Sequence, residues 1–490
     1  MGNTGMRVCF VFDDIILQHQ PLGVCYISAL LKSHGHQVSS INVDASPDYV
    51  RRVRAMGPDV IAFSTCSSQA AQYQRINREI RKEIPGVFSL FGGPHPSFFP
   101  EIIDQDPDID AICLGEGEFP SVELCDALQS GADISGIQNL YIRAPDGVHK
   151  NPLRPFLPTD ELNALPFPDR EIIRGYDIFY QQTAFVMAGR GCPYDCTYCF
   201  NHVSRSLQKG KWTRQRSVES VLAEIRWLID QYGVVYVAFQ DDTFVLNRKW
   251  LQGFCPAYAK EIGLPFICNI RADLADEQLG DLLAEAGCVR VAIGIENGDD
   301  TIRKTVLAKN VSSEQIKRAC DILSDRGIRI VGQNMFGVPG ETVGSALSTI
   351  ELNIRCRTHV NIYSFFAPFP GTKLGEIARQ YGFSGDMSEI PREFQDGLVP
   401  SLQLEHREII ELIGHCAHLF TSYPRLFYLS KLLLTLLPGD RLRAAYLRAM
   451  WRLSTYLTQR HGGRLPSHWH QPRFIDDLMR QSYRDRHSSA

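Results

Sequence analysis

The stretch Gly189-Arg-Gly-Cys192-Pro-Tyr-Asp-Cys196-Thr-Tyr-Cys199 decides how the centre of this chain is interpreted. Three thiolates within eight residues can converge on one inorganic cluster, because cysteine is the usual ligand of iron–sulfur centres. The Cys-x₃-Cys-x₂-Cys spacing supplies three ligands, so one iron of a four-iron cluster stays open to a further molecule. We therefore predict a [4Fe–4S] cluster bound by Cys192, Cys196 and Cys199.

A structural zinc site is the alternative interpretation of these cysteines. Zinc in structural sites prefers four closed ligands, and the sequence contains no second closely spaced cysteine pair that would complete such a set. His202, which follows Cys199 closely, could supply the fourth ligand. The sequence therefore leaves zinc open.

The region around the cysteine motif alternates short apolar strands with helices. Such an order predicts a partial or complete parallel barrel of six β/α units, in which the motif follows the first strand. The predicted strands are residues 184–187, 234–239, 266–269, 290–294, 329–336 and 361–366. Predicted helices between them include residues 218–232, 276–286 and 313–326.

The N-terminal part of the chain shows the same alternation in a separate series. Its strands are fully apolar, which predicts a doubly wound parallel sheet covered by helices on both faces. Ligands bind such sheets beyond the carboxyl ends of the strands. Polar and glycine-rich turns at residues 64–68, 92–94 and 115–118 lie at these ends, so we predict a ligand site there.

The cysteine motif, with the aromatic Tyr198 directly before its last cysteine, resembles that of the radical S-adenosylmethionine superfamily. The resemblance implies that the open iron binds the amino and carboxylate groups of S-adenosylmethionine. It also implies that an electron from the cluster cleaves the C5′–S bond of this molecule. The resulting 5′-deoxyadenosyl radical would then take a hydrogen atom from the substrate.

The resemblance further implies contacts to S-adenosylmethionine at the ends of later strands. Gln240 and Asp241 would accept its ammonium group, and Arg271 would bind its carboxylate. Glu296 would contact its ribose or amine, and Val338 lies in a stretch that would pack against adenine. Ordinary structural roles are the alternatives: a helix N-cap for Asp241, a surface ion pair for Arg271, a buried salt bridge for Glu296, and turn chemistry around Val338.

The N-terminal domain resembles the cobalamin-binding domain of one large class of this superfamily. The matching stretches are Pro21-Leu-Gly23, Phe63-Ser64-Thr65, Gly92-Gly-Pro-His95 and Gly115-Glu-Gly-Glu118. The cobalamin contacts that the resemblance implies are Ser64, Thr65, Gly92, Gly93, Glu116 and Gly117. The domain lacks the Asp-x-His-x-x-Gly run whose histidine binds cobalt in other cobalamin proteins, so we expect binding without that ligand. A sheet that binds nothing is the alternative.

We predict four regions: a cobalamin-binding-like domain over residues 1–140, a proline-rich linker over 141–182, the barrel over 183–385 and a helical region over 386–490. Residues 421–490 contain 12 Lys/Arg and 4 Asp/Glu, although the net charge of the whole chain is −4. A packed helix with a solvated basic face is the ordinary explanation of this bias. An acidic or lipid-like substrate, or contact with a membrane surface, is the alternative.

Together these features predict an enzyme that cleaves S-adenosylmethionine and, with cobalamin, methylates an unactivated carbon of a natural product or lipid. A cobalamin-dependent radical cyclase or oxidoreductase is one alternative, and a non-catalytic Fe–S or zinc protein is another. We expect a small-molecule or lipid-like substrate, an electron donor of the flavodoxin or ferredoxin type, no nucleic acid partner and a cytoplasmic location. No catalytic residue is assigned, although Tyr363 and Tyr423 are candidates for relaying a proton or hydrogen atom.

Overall fold

The computed structural model describes residues 5–14, 17, 20–175, 182–369, 371–386, 389–390 and 397–460. The chain divides into two compact units. The first comprises Met1–Gln181 with Ser204–Arg216, and the second comprises Gln182–Val203 with Ser217–Ala490. Among the described residues, no helix is long and apolar enough to cross a membrane.

The first unit contains a seven-stranded sheet of order β2-β1-β3-β4-β5-β6-β7. Strands β1 to β5 are parallel, and the β6–β7 hairpin continues the sheet in antiparallel fashion. The strands are β1 (Arg7–Phe12), β2 (Gln37–Asn42), β3 (Val60–Ser64), β4 (Phe88–Gly92), β5 (Ala111–Cys113), β6 (Leu140–Ala144) and β7 (Gly147–Lys150).

Helices cover both faces of this sheet, as the apolar strands predict. Val8 and Phe10 of β1 pack in one apolar cluster with α1 and α6, whereas Cys9 and Val11 pack with α2 and α3 in another. The helices are α1 (Leu22–Ser33), α2 (Tyr49–Met56), α3 (Ala70–Glu83), α4 (Pro94–Phe98), α5 (Ile102–Gln105), α6 (Glu118–Ser130), α7 (Thr159–Ala164) and α8 (Glu171–Arg174). The predicted doubly wound sheet is therefore confirmed.

The strand order places a topological switch point between β1 and β3. Chain connections leave these neighbouring strands toward opposite sides, which opens a crevice beyond their carboxyl ends. Ser64 ends β3, and Asp13 follows the last residue of β1. The predicted ligand-binding turns therefore lie at the edge where sheets of this topology bind ligands.

The stretch predicted as a proline-rich linker, residues 141–182, contains more structure than the sequence indicated. Most of β6, all of β7 and helices α7 and α8 lie within it, and residues 176–181 lie outside the described part of the chain. Prolines are tolerated at sheet edges, where one side of the strand makes no ladder hydrogen bonds. The proposed region boundaries stay a prediction.

The second unit is built on six parallel strands in the order β15-β14-β13-β12-β11-β8, the chain order of a partial (β/α)₆ barrel. This confirms the predicted barrel. Its strands are β8 (Thr183–Val186), β11 (Tyr236–Phe239), β12 (Phe266–Ile270), β13 (Cys288–Glu296), β14 (Arg329–Phe336) and β15 (Val360–Phe365). Two short strands, β9 (Gly189–Arg190) and β10 (Arg214–Gln215), precede β11 in the chain.

Side-chain caps fix where the barrel helices begin. Ser217, Asp276 and Thr342 accept backbone N–H groups at the N-termini of α10, α12 and α14, which satisfies donors that a helix end leaves without partners. The helices are α9 (Asn201–Leu207), α10 (Val218–Tyr232), α11 (Arg248–Glu261), α12 (Glu277–Glu285), α13 (Ser313–Ser324), α14 (Val343–Arg355) and α15 (Lys373–Gln380).

Three further helices follow the barrel: α16 (Arg407–Ser422), α17 (Pro424–Leu436) and α18 (Asp440–Arg460). Ile410 and Phe420 of α16 pack in one apolar cluster with Phe336 and Phe365 of the last two strands. Within the predicted helical region over 386–490, the described helices span residues 407–460, and residues 387–388, 391–396 and 461–490 lie outside the described part. Tyr363 belongs to the same cluster, so it faces the helices.

Candidate cofactor sites

The loop that carries the three cysteines follows β8 and β9 and is fixed by the backbone around Thr197. The Thr197 amide donates to the Leu307 carbonyl at 3.1 Å, and its hydroxyl donates to the Val306 carbonyl at 2.6 Å. The Thr197 carbonyl accepts the Leu374 amide at 2.9 Å. Cys196 is buried and the other two cysteines are partly exposed. The loop is therefore held in place by segments that follow β13 and β15.

Hydrogen-bond donors surround the cysteine sulfurs. The backbone and side-chain amides of Asn201 donate to Cys199 Sγ at 3.5 and 3.4 Å. Arg271 Nη1 donates to Cys196 Sγ at 3.6 Å, and Thr243 Oγ1 lies 3.8 Å from Cys192 Sγ. Such donors stabilise cluster thiolates. The donors at Cys196 and Cys199 therefore fit an iron–sulfur cluster.

Burial raises the pKa of the Cys199 thiol to about 11 and raises the pKa of Cys192 as well. Both groups would be protonated at neutral pH if their surroundings were the protein alone. A bound cationic centre reverses this tendency, because coordination deprotonates a thiol outright. Coordination to a cluster would therefore favour the thiolate form of these residues.

The zinc alternative finds no support in the geometry. Among the described residues, no three His, Cys, Asp or Glu side chains form a group that could hold a metal ion. Thiolates of a four-iron cluster need no such convergence, because each binds a different iron. His202, the candidate fourth zinc ligand, accepts the Lys373 amide at 3.4 Å through Nε2.

Arg271 lies directly beside the cysteine loop. Its guanidinium forms a two-pronged ion pair with Asp273 at 3.1 Å for both contacts and stacks 3.5 Å above the ring centre of Tyr194. The alternative of an ion pair is therefore observed, although the pair is largely buried and not on the surface. The structure places Arg271 next to Cys196, and its predicted contact with the S-adenosylmethionine carboxylate stays a prediction.

Glu296 ends β13 in a backbone conformation that is rare for residues other than glycine, with φ of +63°. The pairing of β13 with β14 shifts register at this point. Glu296 Oε1 accepts the Tyr198 hydroxyl and the Lys309 ammonium, each at 2.9 Å. A side chain at Gly294 would overlap both the carboxylate and the ammonium. The turn therefore places the Glu296 carboxylate against Tyr198, the residue that precedes Cys199.

The contact with Lys309 means that the alternative for Glu296, a buried salt bridge, is also observed. A carboxylate has capacity for several donors, so this pair and a cofactor contact are compatible. The contact of Glu296 with ribose or amine stays a prediction. Lys309 itself was missed in the sequence, because no local pattern links it to a residue 13 positions earlier.

Asp241 is buried at the carboxyl end of β11. Its Oδ2 accepts the backbone N–H of Ala188 at 3.0 Å, in the segment that leads into the cysteine loop. Burial raises the pKa of this carboxyl to about 7. The alternative of a helix N-cap is wrong, because Asn247 caps the following helix. Gln240 beside it is partly exposed, and cofactor contacts by both residues stay predictions.

Val338 is fully buried in an apolar cluster with Met335 and Phe366, against which the Tyr198 ring packs. Glu341, three residues later, accepts the Asn297 amide at 2.7 Å and the Gly337 amide. Burial raises the pKa of Glu341 to about 8. The sequence did not single out Glu341, which closes the loop that contains Val338 onto the end of β13.

In the first unit, Ser64 and Thr65 at the end of β3 pack against Gly92 and Gly93 at the end of the neighbouring β4. The Thr65 amide donates to the Gly92 carbonyl at 2.8 Å. Gly93 has φ of +90°, and a Cβ there would lie 2.7 Å from the Thr65 nitrogen and 3.2 Å from Ser64 Oγ. The buried Thr65 hydroxyl has no partner among the described residues. A tight glycine turn beside an unsatisfied hydroxyl fits the close approach of a flat ligand.

Glu116 and Gly117 have structural roles of their own. Glu116 Oε2 accepts the Leu157 amide at 2.8 Å and Arg214 Nη1 at 2.9 Å, and the latter pair is nearly buried. A Cβ at Gly117 would lie 3.2 Å from the Ile27 side chain, so close packing favours glycine there. Cobalamin contacts by these two residues stay predictions.

Two family models match the chain. The model of the Radical SAM superfamily matches residues 186–352, and the model of the B12 binding domain matches residues 9–124. The first match includes the cysteine loop and four complete barrel strands, β11 to β14. The second includes most of β1 and all of β2 to β5 of the first unit.

Several curated proteins are similar over most of the chain. An uncharacterized methyltransferase of Pyrococcus horikoshii is 29% identical over 366 residues, which cover 73% of this chain and 78% of that protein. The anaerobic magnesium-protoporphyrin IX monomethyl ester cyclase of Rubrivivax gelatinosus is 28% identical over 396 residues, 75% of this chain and 69% of its own length. The cytidylyl-2-hydroxyethylphosphonate methyltransferase of Streptomyces wedmorensis is 26% identical over 458 residues, 80% of this chain and 84% of its own length.

A solved structure shares the fold over nearly the whole chain. It is that of the cobalamin-dependent S-adenosylmethionine radical enzyme OxsB with aqua-cobalamin bound. The TM-score is 0.67 at 17% identity, and the match covers 98% of this chain and 76% of OxsB.

Proposed function

We propose that this chain, which belongs to the radical S-adenosylmethionine superfamily and carries a B12-binding domain, methylates unactivated carbon atoms of a small organic molecule or lipid. The two domain matches confirm the predicted cofactors: a [4Fe–4S] cluster, S-adenosylmethionine and cobalamin. Of the three curated proteins named above, two are methyltransferases by name, which favours methyl transfer. The non-catalytic alternative is not supported.

One observation carries the proposal most directly. Hydrogen-bond donors face two of the three cysteine sulfurs of one loop, those of Cys196 and Cys199, and the loop also presents Tyr198 to the Glu296 carboxylate. A cluster with an open iron would therefore lie beside a carboxylate and a hydroxyl. These groups suit the ammonium and hydroxyl groups of S-adenosylmethionine.

When bound, the cluster supplies the electron that cleaves S-adenosylmethionine, and the corrin carries the methyl group. The residues of this chain hold these cofactors and shape their surroundings. Thr197 and Asp241 fix the two ends of the cysteine loop. Lys309 forms an ion pair with the mostly buried carboxylate of Glu296 at 2.9 Å. Gly93 packs so closely against Ser64 and Thr65 that a side chain there would collide with both residues.

We further propose which class of molecule is the substrate and which class of protein is the electron donor. We expect a flavodoxin or ferredoxin to reduce the cluster, because the electron that cleaves S-adenosylmethionine has to be supplied to the cluster from outside the chain. The sites described here are shared among enzymes with the same cofactors. They therefore do not specify which natural product or lipid is the substrate. The cofactor sites do not indicate contact with a membrane surface. The C-terminal helices are the part of the chain that bears on such contact.

A radical cyclase is the second candidate. It rests on the similarity to the anaerobic cyclase of Rubrivivax gelatinosus over 75% of this chain. Such a reaction would use the same cluster loop and cobalamin turn, so the cofactor geometry does not separate it from methylation. The two reactions differ in their products from S-adenosylmethionine, because only methyl transfer leaves S-adenosylhomocysteine.

The experiment that tests the proposal is anaerobic reconstitution with iron, sulfide and cobalamin, followed by incubation with S-adenosylmethionine and dithionite. We expect 5′-deoxyadenosine from the wild type and none from Cys196→Ala. Cys255→Ala is the matched control, because it removes a cysteine of α11, outside the cysteine loop and the predicted cobalamin turns, and should leave deoxyadenosine unchanged. Trideuteromethyl-labelled S-adenosylmethionine added to an extract of the source cells should then yield a product that carries the labelled methyl group. Deoxyadenosine formation that survives in Cys196→Ala would contradict the assignment of the cluster.

A further inference from the structure

The C-terminal helices expose an unusual number of large hydrophobic side chains. Ten such side chains are exposed among the described residues, and eight of them lie between residues 423 and 456. Monomeric soluble proteins seldom expose apolar groups so close together unless the surface binds something. Helices α17 and α18 therefore present a surface with a function.

Helix α17 carries a leucine stripe. Leu429, Leu432 and Leu436 are 54%, 55% and 67% exposed. Their spacing of three and four residues places them on one face of the helix. Phe427 and Leu434 lie on the opposite face and are buried against α16. The stripe therefore points away from the core that holds the helix in place.

Helix α18 adds exposed arginines beside further apolar groups. Arg441, Arg448 and Arg452 are exposed and, at spacings of seven and four residues, share one flank of the helix. Leu442 and Tyr456 are exposed as well, whereas Ala444 and Leu447 of the opposite face are buried in the cluster with α16. A basic flank beside an apolar one is the pattern of helices that lie in a membrane interface.

The charge of these helices is almost entirely positive. Residues 424–460 contain seven Lys/Arg and one Asp/Glu. Lys431 pairs with Glu351 at 2.6 Å, and Arg448 pairs with Glu408. Arg425, Arg441 and Arg452 have no carboxylate partner among the residues that the structure describes. The surface is therefore complementary to anions.

A shallow depression on α18 has the same chemistry. Its volume is about 380 Å³. The residues that line it are Arg448, Trp451, Arg452, Thr455 and Tyr456. Guanidinium groups bind phosphate oxygens in pairs, and Trp and Tyr are favoured where a membrane meets water. The depression therefore suits a phospholipid headgroup.

We propose that α17 and α18 bind the surface of an anionic phospholipid bilayer. The leucine stripe enters the layer of headgroups and upper acyl chains, and Arg441 and Arg452 contact headgroup phosphates. A nucleic acid would match the charge but leave the leucine stripe exposed, whereas a bilayer satisfies both features. Because no described helix is long and apolar enough to cross a membrane, the helices lie on the bilayer. The proposal does not rest on methyl transfer.

The test is co-sedimentation of the full-length protein with vesicles of phosphatidylcholine, with or without phosphatidylglycerol. We expect binding to the phosphatidylglycerol vesicles and much less to the neutral ones. Arg441→Gln with Arg452→Gln should weaken binding to anionic vesicles by about 30-fold, since each cation near such a surface contributes roughly a fivefold change in affinity. Replacing the three leucines of the stripe by glutamine should weaken it by at least about tenfold.

Matched controls and a second readout keep the test decisive. Lys249→Gln with Arg318→Gln removes the same charge from exposed sites on α11 and α13 and should change nothing. Cys196→Ala should bind vesicles as the wild type does, so failure of the proposed chemistry would not affect this result. Equal binding to both kinds of vesicle, or normal binding by the leucine variant, would overturn the proposal. So would a wild type that binds no vesicles but dimerises through the leucine stripe, or that binds only after truncation beyond Arg460.

Discussion

The contact between Asp241 and Ala188 predicts that this carboxylate positions the cysteine loop. Replacing Asp241 by alanine leaves the buried N–H of Ala188 without an acceptor, four residues before Cys192. An unsatisfied buried donor costs about 1–3 kcal/mol, which corresponds to a roughly 5- to 150-fold larger population of the displaced segment. Asparagine at the same position keeps an acceptor oxygen, so the loop should stay in place.

Two measurements check this prediction. Hydrogen exchange of the peptide that contains Ala188 should be faster in Asp241→Ala and normal in Asp241→Asn. The iron content after anaerobic reconstitution should fall in the alanine variant and be retained in the asparagine variant. Wild-type exchange and iron content in Asp241→Ala would refute the positioning role. An asparagine variant that keeps its cluster but no longer binds S-adenosylmethionine would instead support the predicted contact between Asp241 and the cofactor ammonium.

Three further predictions follow from buried groups and one tight turn. Lys309→Met leaves the Glu296 carboxylate without its cation and should lower stability by about 3–5 kcal/mol in urea unfolding, and Glu296→Gln in the same chain should restore part of the loss. Burial raises the pKa of Glu341 to about 8. Protonated Glu341 therefore stabilises the fold at low pH, and this contribution is lost as the pH rises through 8. Glu341→Gln should flatten the dependence of unfolding free energy on pH between about 5 and 8. Gly93→Ala should reduce the corrin absorbance that survives gel filtration, whereas Gly86→Ala, which has a similar backbone angle but open space around it, should retain it.

The sequence predicted the strands and helices well, because both sheets consist of short apolar strands separated by capped helices. Predicted residues 329–336 and 218–232 coincide with β14 and α10. The β6–β7 hairpin was not predicted, since its strands are short and prolines surround it. The extension of β13 to Glu296 was missed for a different reason: the strand continues through a register shift that no apolar pattern marks.

The candidate sites were predicted as positions at strand ends, but not as contacts. Asp241 faces Ala188 because β8 and β11 pair in parallel with Phe239 opposite Val186, a register that sequence periodicity does not reveal. Lys309 and Glu341 were missed because each joins its partner across a loop. The pairing of Arg271 with Asp273 is local. An acidic residue two positions after an arginine is a sequence signal that could have predicted this ion pair.

We propose that S-adenosylmethionine serves this protein in two ways, as radical source and as methyl donor. The most direct measurement is the ratio of S-adenosylhomocysteine to 5′-deoxyadenosine formed by the reconstituted holoenzyme during turnover of its substrate. A methyltransferase with these cofactors should form the two products in equal amounts, and both should be lost in Cys196→Ala once the bound methyl group is consumed. Deoxyadenosine without S-adenosylhomocysteine would contradict methyl transfer and support the cyclase.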